Sequence, residues 1–381
     1  MIPHRLRGLA AVITLSLAAV APACGQADPV ARGAPDSIAD LRGLIGRLSD
    51  AGGYFDTDNL ISNEQGYQQV LVAMSRLGVK GGAYIGVGPD QNYTYIARIR
   101  PRIAIVVDIR RDNMLQHLLF KALFARASNR AEFLALWTGR PVPTNVAAYA
   151  NRSIDAITAR IDSTPATPAS AEYARKLVRE EVARSGIPLT PQDLATISRF
   201  HDAFIADGLS LRFASVGRAP QPYYPTLRQL ILEHDSDGQQ RSYLASEPDF
   251  QFIKSMHRRN LIVPVTGDLA GTRTLSGIAR YLREIHEPVS ALYVSNVEDY
   301  LIRDGRFPSY ISGVRALPRD SNAVIIRSFF GRGGGHPEST GEYFATQLLQ
   351  RLDHFAKDMS VGEISSYYEL VNRDYVPLRK R

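Results

Sequence analysis

Three observations predict an α/β protein with a doubly wound, mostly parallel sheet and a helical insertion between its second and third strands. The run Ile103-Ala104-Ile105-Val106-Val107 is continuously apolar, as in a parallel strand buried on both faces. A second apolar run, Ala83 to Val87, opens into the glycine loop Gly86-Val87-Gly88. From Leu261 onward strands and helices alternate, the rhythm of βαβ units.

The chain opens with His4, Arg5 and Arg7, an apolar run from Leu9 to Ala21, and small residues up to Cys24. The run is shorter than the roughly 20 apolar residues of a spanning helix and is interrupted by Thr14 and Ser16, so it reads as an export signal over residues 1–23. Cys24, the only cysteine, follows Val20-Ala21-Pro22-Ala23 and resembles the acylated cysteine of bacterial lipoproteins; cleavage after Ala23 or Ala27 fits the small-residue rule as well. The expected location is outside the cytoplasm, periplasmic or membrane-anchored through a lipidated Cys24. One cysteine excludes an intramolecular disulfide and a Cys-rich zinc site. A formal net charge of +7, spread along 381 residues, reads as a solvated surface rather than a nucleic-acid stripe. With 45% apolar and 22% charged residues, wholesale disorder is excluded.

Residues 24–50 read as a tether with a short amphipathic helix, Ile38 to Leu48. Ser62-Asn63-Glu64-Gln65 has the Ser-x-x-Gln form of a capping box and predicts a helix to about Leu77. Strand Ala83 to Val87, strand Ile103 to Val107 and helix Met114 to Phe124 follow. Residues 125–247 break the alternation with helical patterns around 147–161, 171–184 and 194–207, read as an insertion within an α/β domain spanning 51–335. The rhythm resumes with strand Leu261 to Thr266, helix Thr274 to Ile285, strand Val289 to Val294, a broken helix from Val297 to about Leu317 and strand Ala323 to Ile326. Arg332 to His336 reads as a loop. Residues 336–381 read as a C-terminal helix, over 339–358, and a tail.

Open α/β sheets bind ligands past the carboxyl ends of their strands. There the chain places Gly86-Val87-Gly88-Pro89-Asp90-Gln91, Asp108, Gly267-Asp268 and Ser295-Asn296-Val297-Glu298. Glycine lets backbone approach a ligand, and an acid 22 residues after Gly86 is placed to accept ribose hydroxyls, so the four tips together predict a nucleoside-type site. Gln91 stands where dinucleotide sites carry a third glycine, and Asp90 would set a carboxylate beside a pyrophosphate. S-adenosylmethionine has no phosphate and carries an ammonium and a sulfonium, so Asp90 favours it as the cofactor. Asn296 could orient a methyl acceptor and Glu298 could take its proton; equally, Asn296 caps the next helix and Glu298 lies in its first turn. The scattered histidines form no metal-ligand motif, so no metal site is expected.

The tip motifs resemble the class I S-adenosylmethionine-dependent methyltransferase fold. Ser62-Asn63-Glu64, Tyr84 to Asn92, Val107 to Arg111, Tyr243 to Glu247 and Tyr293 to Glu298 more closely resemble a family of uncharacterised bacterial proteins with that fold, over about residues 55–330. The resemblance implies that Gly86 and Gly88 border the methionyl group, Asp108 the ribose and Asp268 the adenine. The chain departs from the methyltransferase pattern in lacking the third loop glycine and in its long insertion. Export would remove the domain from the cytoplasmic supply of cofactor, so three readings stand: a methyltransferase, a non-catalytic ligand-binding or scaffolding lipoprotein on the same fold, or a cytoplasmic enzyme with an apolar leader.

Overall fold

The computed structural model describes Met1 and residues 35–219, 221–331 and 335–379. Residues 2–34, which hold the expected export signal and Cys24, and residues 332–334 lie outside the described residues. Seven strands form one sheet: β1 (Ala83–Val87), β2 (Ile103–Asp108), β3 (Ile262–Thr266), β4 (Val289–Ser295), β5 (Arg319–Phe330), β6 (Ala345–Arg351) and β7 (Tyr375–Val376). Their order is β3-β2-β1-β4-β5-β6-β7. The first five are parallel, β6 runs antiparallel to β5, and β7 antiparallel to β6. The arrangement is a Rossmann-like α/β sheet, because the first five positions follow the doubly wound order and reverse between β1 and β4. Residues of β1 and β3, and Ile103 to Val107 of β2, are buried throughout, the pattern their unbroken apolar runs required.

Helix α1 (Leu41–Leu48) packs against β3, and α2 (Leu71–Arg76) precedes β1. α3 (Asn92–Ile99) joins β1 to β2. Between β2 and β3 lie α4 (Arg111–Arg126), α5 (Arg130–Trp137), α6 (Ile154–Ser163), α7 (Pro168–Arg184), α8 (Pro191–Asp207), α9 (Leu227–Leu232) and α10 (Glu247–Arg258). Helix α4 carries this layer: it packs against β2 and β3 as well as α7, α8 and α10, so it is buried nearly all round. α11 (Thr274–Glu284) leads to β4, and α12 (Val297–Arg303) and α13 (Phe307–Ala316) lead to β5, broken at Gly305, whose φ is +67°. α14 (Leu352–Lys357) and α15 (Tyr367–Asn372) complete the chain before β7. Among the described residues no helix is long and apolar enough to cross a membrane.

Three expected helices differ, the one around 147–161 being a 3-10 turn at Val146–Tyr149 followed by α6 from Ile154. The helix predicted from Ser62 is replaced by turns that reach helical form only at Leu71, because Gly66 takes φ +87° and the Ser62 hydroxyl accepts from the Glu64 N–H at 3.0 Å instead of capping three residues on. The helix predicted over 339–358 is β6 followed by the short α14. Leu348, Leu349, Leu352 and Phe355 imitate a helical stripe, but Gln347 and Gln350 are buried in the sheet because each finds partners there: Gln347 donates to Glu64 and Ser328, Gln350 accepts from Arg327.

Candidate functional site

At the reversal between β1 and β4 the carboxyl ends of the strands open into a cleft of about 230 Å³. Gly88, Gln91, Asp108, Asp268, Ser295 and Asn296 are on its walls. The segment before α2 crosses the same edge: the Asp50 N–H donates to Thr266 at 2.8 Å and the Gly53 N–H to Ile109 at 2.7 Å. This brings Phe55, Asn63 and Glu64 to the cleft.

The loop after β1 is held from behind. Asn92 Nδ2 donates to the carbonyls of Val87 (2.8 Å), Gly88 (3.3 Å) and Pro89 (2.7 Å), while its Oδ1 accepts from the Tyr84 hydroxyl at 2.7 Å. His117 Nε2 donates to the Gly88 carbonyl (3.0 Å), and its Nδ1 accepts the Tyr93 hydroxyl (2.7 Å). Burial pushes this imidazole down to about 4, so it stays neutral and keeps that tautomer. Gly88 has φ +81°, and a Cβ built there would meet nothing within 4 Å. The loop is therefore rigid on its inner side and open on the cleft side.

The cleft carboxylates are partnered. Asp108 Oδ1 accepts from the Arg110 N–H (2.9 Å) and Nε (3.2 Å), and Oδ2 from Nη2 (3.1 Å). A carboxylate has about four acceptor positions, so one remains on Oδ2. Asp268 accepts from the Ala270 N–H (2.8 Å) and pairs with Arg306. Glu64 is buried and takes four donors: the Tyr293 hydroxyl (2.7 Å), Gln91 Nε2 (3.0 Å), Gln347 Nε2 (3.0 Å) and the Ser295 hydroxyl. This network ties the segment before α2 to β4 and β6. It leaves Gln91 Oε1 buried without a hydrogen-bond partner among the described residues.

Gly88, Asp108, Asp268 and Asn296 are brought together, and the Asn296 side chain makes no cap bond to α12. Three expected residues are not on the cleft walls. Gly86 lies within β1, where a Cβ would stand 2.0 Å from Asn92 Oδ1, so its role is close packing behind the loop. Asp90 turns away and accepts the Tyr243 hydroxyl at 3.1 Å; burial pushes its carboxyl up to about 7, and it cannot face a pyrophosphate or a sulfonium. Glu298 is fully buried in an ion pair with Arg327, so it is no proton acceptor for a cleft ligand. Tyr93 and Tyr95 are core residues. Gln91 and Tyr293 were not expected as site residues, and Glu64, with Asn63, was expected either to cap a helix or to reach over this edge; both line the cleft. The signal available in the sequence was the tip motif Tyr293-Val294-Ser295; in the structure Ser295 adopts φ +54°, a strained conformation for a residue with a Cβ.

A family described as Domain of unknown function (DUF7790) matches residues 59–185 and 214–376. The chain belongs to this family. The DUF7790 match covers β1 to β7 and every cleft residue named above except those before Asn59, and it leaves out residues 186–213, which carry α8. It also reaches past residue 330, through β6 and β7. No curated protein matches the chain.

Proposed function

We propose that the cleft binds S-adenosylmethionine or a related nucleoside, on a class I methyltransferase-like framework in which residues 125–247 are a helical insertion. The observation that carries the reading is the convergence of an open, left-handed Gly88 with Asp108 and Asp268 at the point where the strand order reverses. In this reading Gly88 approaches the methionyl group, Asp108 Oδ2 accepts a ribose hydroxyl, and Asp268 receives the adenine amino group. Gln91 takes the part first given to Asp90. Its unpartnered Oε1 is covered and becomes available to a ligand only when the side chain shifts; an ammonium such as that of S-adenosylmethionine would then supply its donor, and a pyrophosphate, having only acceptors, would not.

With Glu298 sealed against Arg327, Asn296 alone is left of the expected pair to orient an acceptor. That favours the second reading, a non-catalytic ligand-binding module, as does export through the leader and Cys24, which would separate the domain from cytoplasmic cofactor.

Calorimetric titration of the protein with S-adenosylmethionine, its demethylated product and NAD tests the proposal. The first two should bind and NAD should not. Asp108→Asn, which keeps an acceptor for Arg110, should weaken binding at least about tenfold, the loss of one hydrogen bond to a charged group of roughly 1.5–3 kcal/mol. Absence of binding by either nucleoside at millimolar concentration overturns the reading; preference for NAD overturns the choice of ligand.

A further inference from the structure

We propose that the cleft continues into a second chamber that binds a small uncharged aromatic molecule bearing a hydroxyl or amino group. The chamber, of about 220 Å³, shares Phe55, Asn59, Asn63, Ser295, Asn296 and Tyr300 with the nucleoside cleft. Neither space alone reaches the roughly 300 Å³ at which ligand pockets begin, and the two joined do.

The far wall is aromatic. Tyr223 stacks on Phe344 with centroids 3.9 Å apart, Phe213 meets Tyr224 edge to face at 4.9 Å, and Phe330 stands beside Phe344. At the junction, Phe55 and Tyr300 make another edge-to-face pair at 5.1 Å. Rings held at such angles offer both faces and edges to a flat guest. Among the described residues the charged ones lining the chamber are Asp56 and Arg218, which pair with each other, so together they add no net charge.

The junction supplies the polar anchor. Asn63 makes no side-chain hydrogen bond among the described residues, and the Asn296 amide oxygen has only the Ser295 hydroxyl near it, at 3.3 Å, whose single proton goes to Glu64, leaving amide donors and acceptors for a ligand. The left-handed Ser295 turns the chain at the end of β4 so that it and Asn296 line both spaces. It is fixed there by its hydroxyl on Glu64, and its carbonyl faces the Tyr367 hydroxyl at 3.3 Å, which also reaches the Ser328 carbonyl at 3.0 Å. Conformational strain of this kind persists where the surroundings hold it, and ligand clamps are a common place to find it. A ring lying among Tyr223, Phe344 and Phe330 would direct its polar group to Asn63 and Asn296, beside the nucleoside space.

Assigning this molecule as a methyl acceptor rests on the nucleoside proposal; its binding does not, so the two are read separately. Fluorine NMR of 4-fluorophenol, 5-fluoroindole and 4-fluorocyclohexanol with the full chain, without nucleoside, gives the test. The two aromatic probes should broaden and the alcohol should not. Phe344→Ala and Asn63→Ala should each weaken phenol binding about three- to tenfold, the range of one aromatic or neutral hydrogen-bond contact. If Phe344→Ala melts early, Tyr223→Leu replaces it. Added S-adenosylmethionine should not displace the phenol. Equal broadening of the alcohol, no broadening at millimolar probe, indifference to all three variants, or displacement by S-adenosylmethionine overturns the second chamber. Phenol binding in a protein that ignores both nucleosides retains the chamber and removes the methyltransferase reading.

Discussion

Asp90→Asn offers the sharpest test of how the structure disposes its acids. Burial raises the Asp90 carboxyl from 3.8 to about 7, and the hydrogen bond from Tyr243 offsets only part of that. The native state therefore holds a proton that the unfolded chain gives up between these values. Stability from this group is fully present below pH 3.8 and is lost as pH rises through about 7. At about 1.4 kcal/mol per pH unit, the loss amounts to about 4 kcal/mol. An amide of the same shape does not titrate, so Asp90→Asn removes the pH-dependent part. Its NH2 group adds a constant offset of about 1–3 kcal/mol if it finds no partner. Urea denaturation of both proteins from pH 4 to 8 should show the stability difference, variant minus wild type, rising by up to about 4 kcal/mol across that range. A difference that stays flat with pH refutes the reasoning. Because Asp90 does not line the cleft, S-adenosylmethionine affinity should be the same in both proteins at a pH where both are folded; a selective loss would return Asp90 to the site.

Two other outcomes follow from the same geometry and one from the sequence of the amino-terminal segment. Glu298→Ala strands Arg327, which is buried, hydrogen-bonded to Gln350 and set over the Phe355 ring, and should cost about 3–5 kcal/mol in urea denaturation; a cost below about 1 kcal/mol would contradict the sealed ion pair. Gly86→Ala forces a methyl against Asn92 Oδ1 and the Tyr84 hydroxyl, so it should destabilise by about 1–3 kcal/mol and loosen the loop that Asn92 holds, whereas unchanged thermal melting would place Gly86 elsewhere. Cys24→Ser should release the protein from membranes on fractionation, and a wild-type amino terminus that begins at another residue would remove the lipid anchor.

The sheet was legible in the chain because burial on both faces demands largely apolar runs, and β1 to β3 have them, while β4 is broken only by Ser290, whose hydroxyl donates to the Gly81 carbonyl. Where a strand mixes Leu with Gln, as β6 does, the pattern resembles a helix until the partners of Gln347 and Gln350 are known. Those partners, Glu64 and Arg327, lie on other elements. The same division runs through the acids. Position in sequence identifies which carboxylates stand near strand tips, and Asp108 and Asp268, one at the end of β2 and one just after β3, do reach the cleft. Asp90 and Glu298 stand just as near by position, yet each turns to a partner that the local sequence does not announce: Tyr243 from the segment before α10, Arg327 from β5. A buried carboxylate costs several kcal/mol unless it is paired or protonated, so its direction is decided by whichever long-range group can relieve that cost. Arg327 pairs with Glu298, whereas Tyr243 offers Asp90 a neutral hydroxyl that leaves its carboxyl protonated below about pH 7. Asp108 remains at the cleft for the opposite reason, since its arginine is two residues away and comes with it.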